Sequence, residues 1–277
     1  MHDGKLPGAV RGGVSANRRR AINVGGVMQL LKYFIQSQQW LSRNFDRLLP
    51  GKFRVDGQKD FQDKVVPRYL QRKQVVYDVG GGKRPYLNKE TKKRLDLTVI
   101  GLDISKDELA KAPEGIYDQQ ICSDITFFKG EESADLVICQ SLLEHIKNVD
   151  AAICAISTTL KPGGLALLFL PNKNAFYARL NLLLPQGLKN KALALFYPQM
   201  KKKLGFPAYY NKCTPGELKK LAAFYNFSIV EEKYYYNSIY LRFFFPLHLL
   251  WRLWLIFFCF ISRDQAAETF TFVLKKN

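Results

Sequence analysis

Short apolar runs separated by polar, helix-compatible stretches dominate the middle of the chain. Val75–Val79, Thr98–Asp103, Gln119–Cys122, Asp135–Gln140 and Gly164–Leu170 are each short and mostly apolar. Runs of this length suit strands, and burial without in/out alternation marks parallel strands covered on both faces. Lys83–Leu95, a segment from Lys106, and Ala151–Leu160 can be helical between them, and Lys161-Pro162-Gly163-Gly164 reads as the turn that launches the fifth strand. Further on, Thr214-Pro215-Gly216-Glu217 begins another helix, with an N-cap, a first-turn proline and a capping-box acid. Phe227–Tyr235 and Glu268–Leu274 supply two more strands, the second alternating threonine and valine with phenylalanine and leucine. The pattern predicts an α/β fold with helices on both faces of a largely parallel sheet.

The flanks read differently. Residues 1–27 lack periodicity and a continuous apolar core, so a disordered tail is expected rather than a signal peptide. Met28–Leu49 has near-helical apolar spacing and Phe61–Leu70 reads as another helix, giving N-terminal helices over 28–72 and a catalytic domain over 73–277. Two insertions interrupt that domain, at 175–212 and 239–262. Ile239–Ile261 is long enough to cross a bilayer, which takes about 20 apolar residues. Arg242 and Arg252, and the strand that must follow, favour a monotopic or re-entrant helix pair broken near Pro246, with Trp251 and Trp254 as interfacial anchors.

Charge sharpens this picture. Of a net +18, much falls in Ala151–Gly216, which has nine basic residues and no acid, and in the equally acid-free Lys233–Arg263. Basic charge mixed with long apolar runs points to an anionic membrane surface, met by Lys201, Lys202 and Lys203, and disfavours nucleic acid. Five cysteines without a C-x-x-C pair suggest neither zinc nor disulfides, and hence a reducing cytoplasm.

The candidate chemistry sits at the strand ends. Asp78-Val79-Gly80-Gly81-Gly82 closes the first strand with an acid and three glycines, whose bare backbone admits a bulky ligand. The anion at Asp78 favours a cationic ligand over a pyrophosphate, and Pro85 stands where a G-x-G-x-x-G dinucleotide loop wants a small residue. Asp103, about twenty residues on at the end of the second strand, suits a ribose diol. These motifs resemble the class I S-adenosylmethionine-dependent methyltransferases over Val75–Lys275, although Arg84 replaces the family's usual third glycine.

The resemblance implies a Rossmann-like seven-stranded sheet, mostly parallel with an antiparallel last strand, and S-adenosyl-L-methionine as cofactor. Its binding residues would be Asp78, Gly80, Gly81, Gly82, Asp103, Ile104, Asp124, Ile125 and Gln140, with Asp124 meeting the adenine amino group and Gln140 beside the methionine part. Ser141-Leu142-Leu143-Glu144-His145 looks like the small-molecule subgroup, and His145 is the candidate base; no metal is implied. The Asp/Asn-Pro-Pro-aromatic signature of amino-group methylation is absent. The expected activity is O-methylation of a lipid or lipid-linked saccharide at the cytoplasmic membrane face. An RNA methyltransferase using the basic surface and a non-catalytic membrane-docked scaffold are the alternatives.

Overall fold

The computed structural model describes residues 14–184, 207–237 and 241–277, with side chains from residue 26 onward. Contacts divide it into two compact units, Leu49–Ile239 with Arg252–Asn277, and Met1–Leu48 with Tyr240–Trp251. The division at 72/73 expected from the sequence is therefore displaced. Phe61, Val65 and Val66 are fully buried in the same core cluster as Val76, Phe169 and Tyr235.

The larger unit is built on a seven-stranded sheet of order β3-β2-β1-β4-β5-β7-β6, with β1 Val75–Val79, β2 Thr98–Asp103, β3 Gln119–Cys122, β4 Ala134–Gln140, β5 Leu160–Pro171, β6 Phe227–Tyr235 and β7 Thr269–Lys276. β1 to β5 run parallel, and β7 lies antiparallel between β5 and β6. Strand pleating sorts the apolar residues into two cores. Val137, Cys139, Ala166, Leu168 and Leu170 join one, and Leu136, Ile138, Leu167 and Phe169 the other. This is why the sequence of these strands looks continuously apolar.

Several boundaries differ from the sequence reading. Residues 161–164 do not precede β5 but bulge within it. Leu160 pairs with Ala134 and Leu165 with Leu136, and the Lys161 ammonium meets Asp135 at 2.8 Å. The segment after the glycines becomes helical only at Lys89–Leu95 (α4), where the Asn88 side chain accepts from the Thr91 N–H at 2.7 Å. Gly57–Asp60 (α2), a π-helical turn at Phe61–Val65 and Val66–Tyr69 (α3) form one run, tied to β6 where Asp60 accepts from Lys233 at 2.7 Å and Tyr235 at 2.9 Å. Further α-helices among the described residues of this unit are α5 Lys106–Ala110, α6 Val149–Thr159, α7 Phe176–Leu183 and α8 Pro215–Phe224. Thr214 caps α8 as expected, accepting from the Glu217 N–H at 3.2 Å.

In the smaller unit, α1 runs from Val14 to Leu48, so residues 14–27 are helical rather than a tail. Alanines and arginines there are strong helix formers and outweigh Gly25 and Gly26. Asp46 accepts from Arg242 at 3.0 Å and from His248 Nε2 at 3.0 Å, and Gln38 takes the Phe245 N–H at 3.0 Å. α9, Phe245–Ser262, begins in this unit, runs past its last residue Trp251, and is one helix and not a broken pair; Pro246 sits in its first turn, where a missing N–H costs nothing. Trp251, expected as an interfacial anchor, is only 6% exposed and lies against His248, whereas Trp254 is 57% exposed. Lys201, Lys202 and Lys203 lie outside the described residues.

Candidate functional site

At the carboxyl ends of β1 to β4, where the strand order reverses between β1 and β4, loops enclose a cleft of about 520 Å³. Small-ligand sites occupy roughly 300–1,000 Å³ and favour such switch points. Gly80 opens it after β1, Asp103 and Ile104 come from β2, Asp124 and Ile125 follow β3, and Ser141, Leu142 and His145 follow β4. Gly80 has φ +80° and gives its N–H to Leu102 O at 2.8 Å, a backbone state that a side chain would strain.

Asp78 is not on the cleft wall. It is 3% exposed, accepting from the Tyr86 N–H at 2.7 Å and the Tyr117 hydroxyl at 3.0 Å. Burial pushes its carboxyl up to about 6 against the pull of those two donors, and the charge of Asp103 adds to the rise. Instead of touching a cationic ligand, as the sequence suggested, Asp78 braces the loop from behind. Gly81 makes that possible, since a Cβ there would lie 2.4 Å from Asp78 Oδ2. Neither Gly81 nor Gly82 lines the cleft. Gln140 is also set back from it, accepting from the Gln62 amide at 3.2 Å one residue before Ser141.

Asp103 commits one oxygen to the Ser105 N–H at 2.9 Å, while Ser105, not Asp103, caps α5. Burial raises the Asp103 carboxyl, with help from Glu108 and opposition from backbone N–H groups. Asp124 forms an Asx-turn, its Oδ1 accepting from the Thr126 N–H and hydroxyl at 2.8 Å each. Its Oδ2 has no hydrogen-bond partner among the described residues. Ile104, 58% exposed, offers an apolar surface to a flat ring.

His145 ends a 3₁₀ turn, Leu143–His145, with Nδ1 3.0 Å from the Pro207 carbonyl. A carbonyl only accepts, so a neutral His145 carries its proton on Nδ1 and presents Nε2 as the basic atom. Glu144 beside it is buried, its Oε2 has no partner among the described residues, and burial pushes its carboxyl up to about 8.

Sequence reasoning missed Ser141, Lys147 and Tyr209. Ser141 adopts φ +52°, turning the chain at the end of β4. Tyr209 reaches the wall from the end of the insertion because the N–H groups of Tyr209 and Tyr210 both bond the Glu144 carbonyl, at 2.7 and 3.0 Å. No local pattern marks a loop tyrosine held by such a distant partner.

The cleft suits a nucleoside bearing positive charge: two carboxylates for hydroxyl and amino donors, an isoleucine for the base, and glycine backbone at the strand end. A profile described as a methyltransferase domain matches residues 39–232. A methyltransferase from Archaeoglobus fulgidus described as dependent on S-adenosylmethionine is 17% identical, with a TM-score of 0.50 over 81% of this chain and 96% of that one. Phosphoethanolamine N-methyltransferase 2 of Haemonchus contortus, in complex with S-adenosyl-L-methionine, is also 17% identical, with a TM-score of 0.50 over 87% of this chain and 56% of that one. A chain from the complex of the Haloferax volcanii Trm112 methyltransferase activator with a methyltransferase reaches a TM-score of 0.53 at 12% identity, over 86% of this chain and 96% of that one. No curated protein matches the sequence. The profile spans more than half of the chain, including every strand that borders the cleft, and places this chain in the class I S-adenosylmethionine-dependent methyltransferases.

Proposed function

We propose that this methyltransferase rests on the cytoplasmic face of a membrane and methylates a hydroxyl of a lipid or lipid-linked saccharide. The observation that carries this reading is the exposed apolar face of α9. Leu250, Leu253, Trp254, Phe257, Phe260 and Ile261 recur every three to four residues and all stand in solvent. The stretch from Phe245 is long and apolar enough to cross a membrane, yet most of it is left unburied. Contiguous apolar faces of this kind are rare on soluble monomers. Tyr235 pairs with Thr269, so the chain leaves the sheet before α9 and returns to the same edge, which argues against a single crossing. Arg252, buried and bonded to the Tyr236 and Phe53 carbonyls, is satisfied inside the protein. Free thiols and the strongly basic chain favour the anionic cytoplasmic leaflet.

Bound S-adenosylmethionine supplies an activated methyl group. The chain's part is to hold the acceptor hydroxyl in line, exclude water and receive its proton at His145 Nε2. Replacing His145 by alanine should lower kcat by ~10²-fold or more, as loss of a general base does, with donor affinity unchanged; turnover within about twofold would remove the base from the mechanism.

Flotation with anionic vesicles tests the membrane. The wild type should float, and Trp254→Glu/Phe257→Glu should bind at least ~10-fold more weakly, because each buried aromatic contributes about 1.5–3 kcal/mol. Incubation with labelled donor and fractionated membrane lipids should place label in an alkali-stable ether in the organic phase. Protein that never floats, or label confined to RNA, would overturn the reading.

A further inference from the structure

Strand order gives the cleft an electrical polarity. Asp124 follows β3 and Asp103 ends β2 on one side of the glycine loop, whereas His145 and Lys147 follow β4 on the other. A cationic adenosyl group belongs at the acidic side, which leaves the β4 side to the acceptor. Lys147 lines that side, exposed, with its ammonium 5.2 Å from the centre of the Tyr209 ring. Among the described residues it pairs with no carboxylate. The nearby acids are committed elsewhere: Asp150 is bonded to Lys212 at 2.6 Å, and Glu144 is buried beneath the turn. The strap that carries Tyr209 cannot supply an acid either, because Ala151–Gly216 contains none.

An unpaired ammonium held over an aromatic face inside a cleft is a receptor for an oxyanion. Asn211 helps to fix it there, its amide donating to the Lys147 carbonyl at 2.9 Å. We infer that the acceptor carries a phosphate or carboxylate close to the hydroxyl that is methylated, and that Lys147, with Tyr209, is the residue that selects it. This deepens the membrane-acceptor reading and rests on it for the lipid part alone; the anion subsite stands on the cleft's own charges.

The test uses the full chain saturated with S-adenosylhomocysteine and calorimetric titration with four probes: dihexanoyl phosphatidate, dihexanoylglycerol, glycerol phosphate and glycerol. Each phosphate probe should bind at least ~10-fold more tightly than its neutral counterpart, the low end of what a charge-assisted hydrogen bond supplies. Lys147→Met should abolish that preference and Lys147→Arg should retain it, with S-adenosylhomocysteine affinity unchanged in both variants. Equal binding of phosphate and neutral probes, or an undiminished preference in Lys147→Met, would overturn the inference. If glycerol phosphate binds as well as phosphatidate, and both depend on Lys147, the anion subsite holds while the lipid reading fails.

Discussion

Replacing Gly81 by alanine is expected to destabilise the protein by about 2–4 kcal/mol and to abolish donor binding. The new Cβ would lie 2.4 Å from Asp78 Oδ2 and 2.6 Å from the Tyr117 hydroxyl, closer than such atoms approach. Neither neighbour can swing away cheaply, because Asp78 is short and both are buried. The carboxylate must leave its two donors, the Tyr86 N–H and the Tyr117 hydroxyl, and each buried donor left unpaired costs about 1–3 kcal/mol. The loop between Gly80 and Tyr86 then loses its brace, and with it the edge of the cleft. Gly115→Ala is the control: it sits at φ +73° with nothing within 4 Å of a Cβ, so only the left-handed backbone cost of about 1–2 kcal/mol applies. Urea midpoints of the two variants decide the matter. A Gly81→Ala protein no less stable than Gly115→Ala would mean that Asp78 does not hold the loop.

The same residue shows what sequence could and could not reveal. An acid before a glycine loop reads alike whether it faces a ligand or backs the loop, since both need bare backbone beside it; only the positions of Tyr86 and Tyr117 separate the two. The parallel strands were legible because burial on both faces writes an apolar run without alternation, and the last hairpin because β6 and β7 flank a single excursion. In α9 the usual reading inverts. His248 and Arg252 lie on the inward face with Trp251, Leu255 and Cys259, while Trp254 shares the outward face with Leu250 and Phe257. Polar residues normally mark the solvent side of a helix; here they mark the protein side, because buried carbonyls and Asp46 receive them. Helical phase alone would have separated Trp251 from Trp254, once that inversion was recognised. The strap at Pro207–Asn211 had no such signal: its place depends on hydrogen bonds to Glu144, His145 and Lys147, and pairings over more than sixty residues leave no local trace.

Glu144→Gln should make the protein more stable, by an amount that grows with pH. Burial pushes the Glu144 carboxyl from its ordinary 4.5 up to about 8. His145 Nε2 lies 3.8 Å from Oε1, too far for a hydrogen bond, and Oε2 has no partner among the described residues. Below about pH 4.5 the folded and unfolded chains both hold the proton, and the group contributes nothing against folding. Between 4.5 and 8 the unfolded chain releases it while the folded chain keeps it, so stability falls by about 1.4 kcal/mol per pH unit and levels off only above pH 8. The ceiling is on the order of 4–5 kcal/mol, and partial relaxation or water entry would lower it. Glutamine has the same shape and no proton to lose, so the variant should match the wild type near pH 4.5 and exceed it by a few kcal/mol at pH 8. Urea denaturation at pH 5, 6.5 and 8 reads this directly. A glutamine variant less stable than the wild type at pH 8 would mean that Glu144 is ionised and paired in the native state, with the neighbouring His145 as its partner; the tautomer that presents Nε2 as a base would then be lost as well.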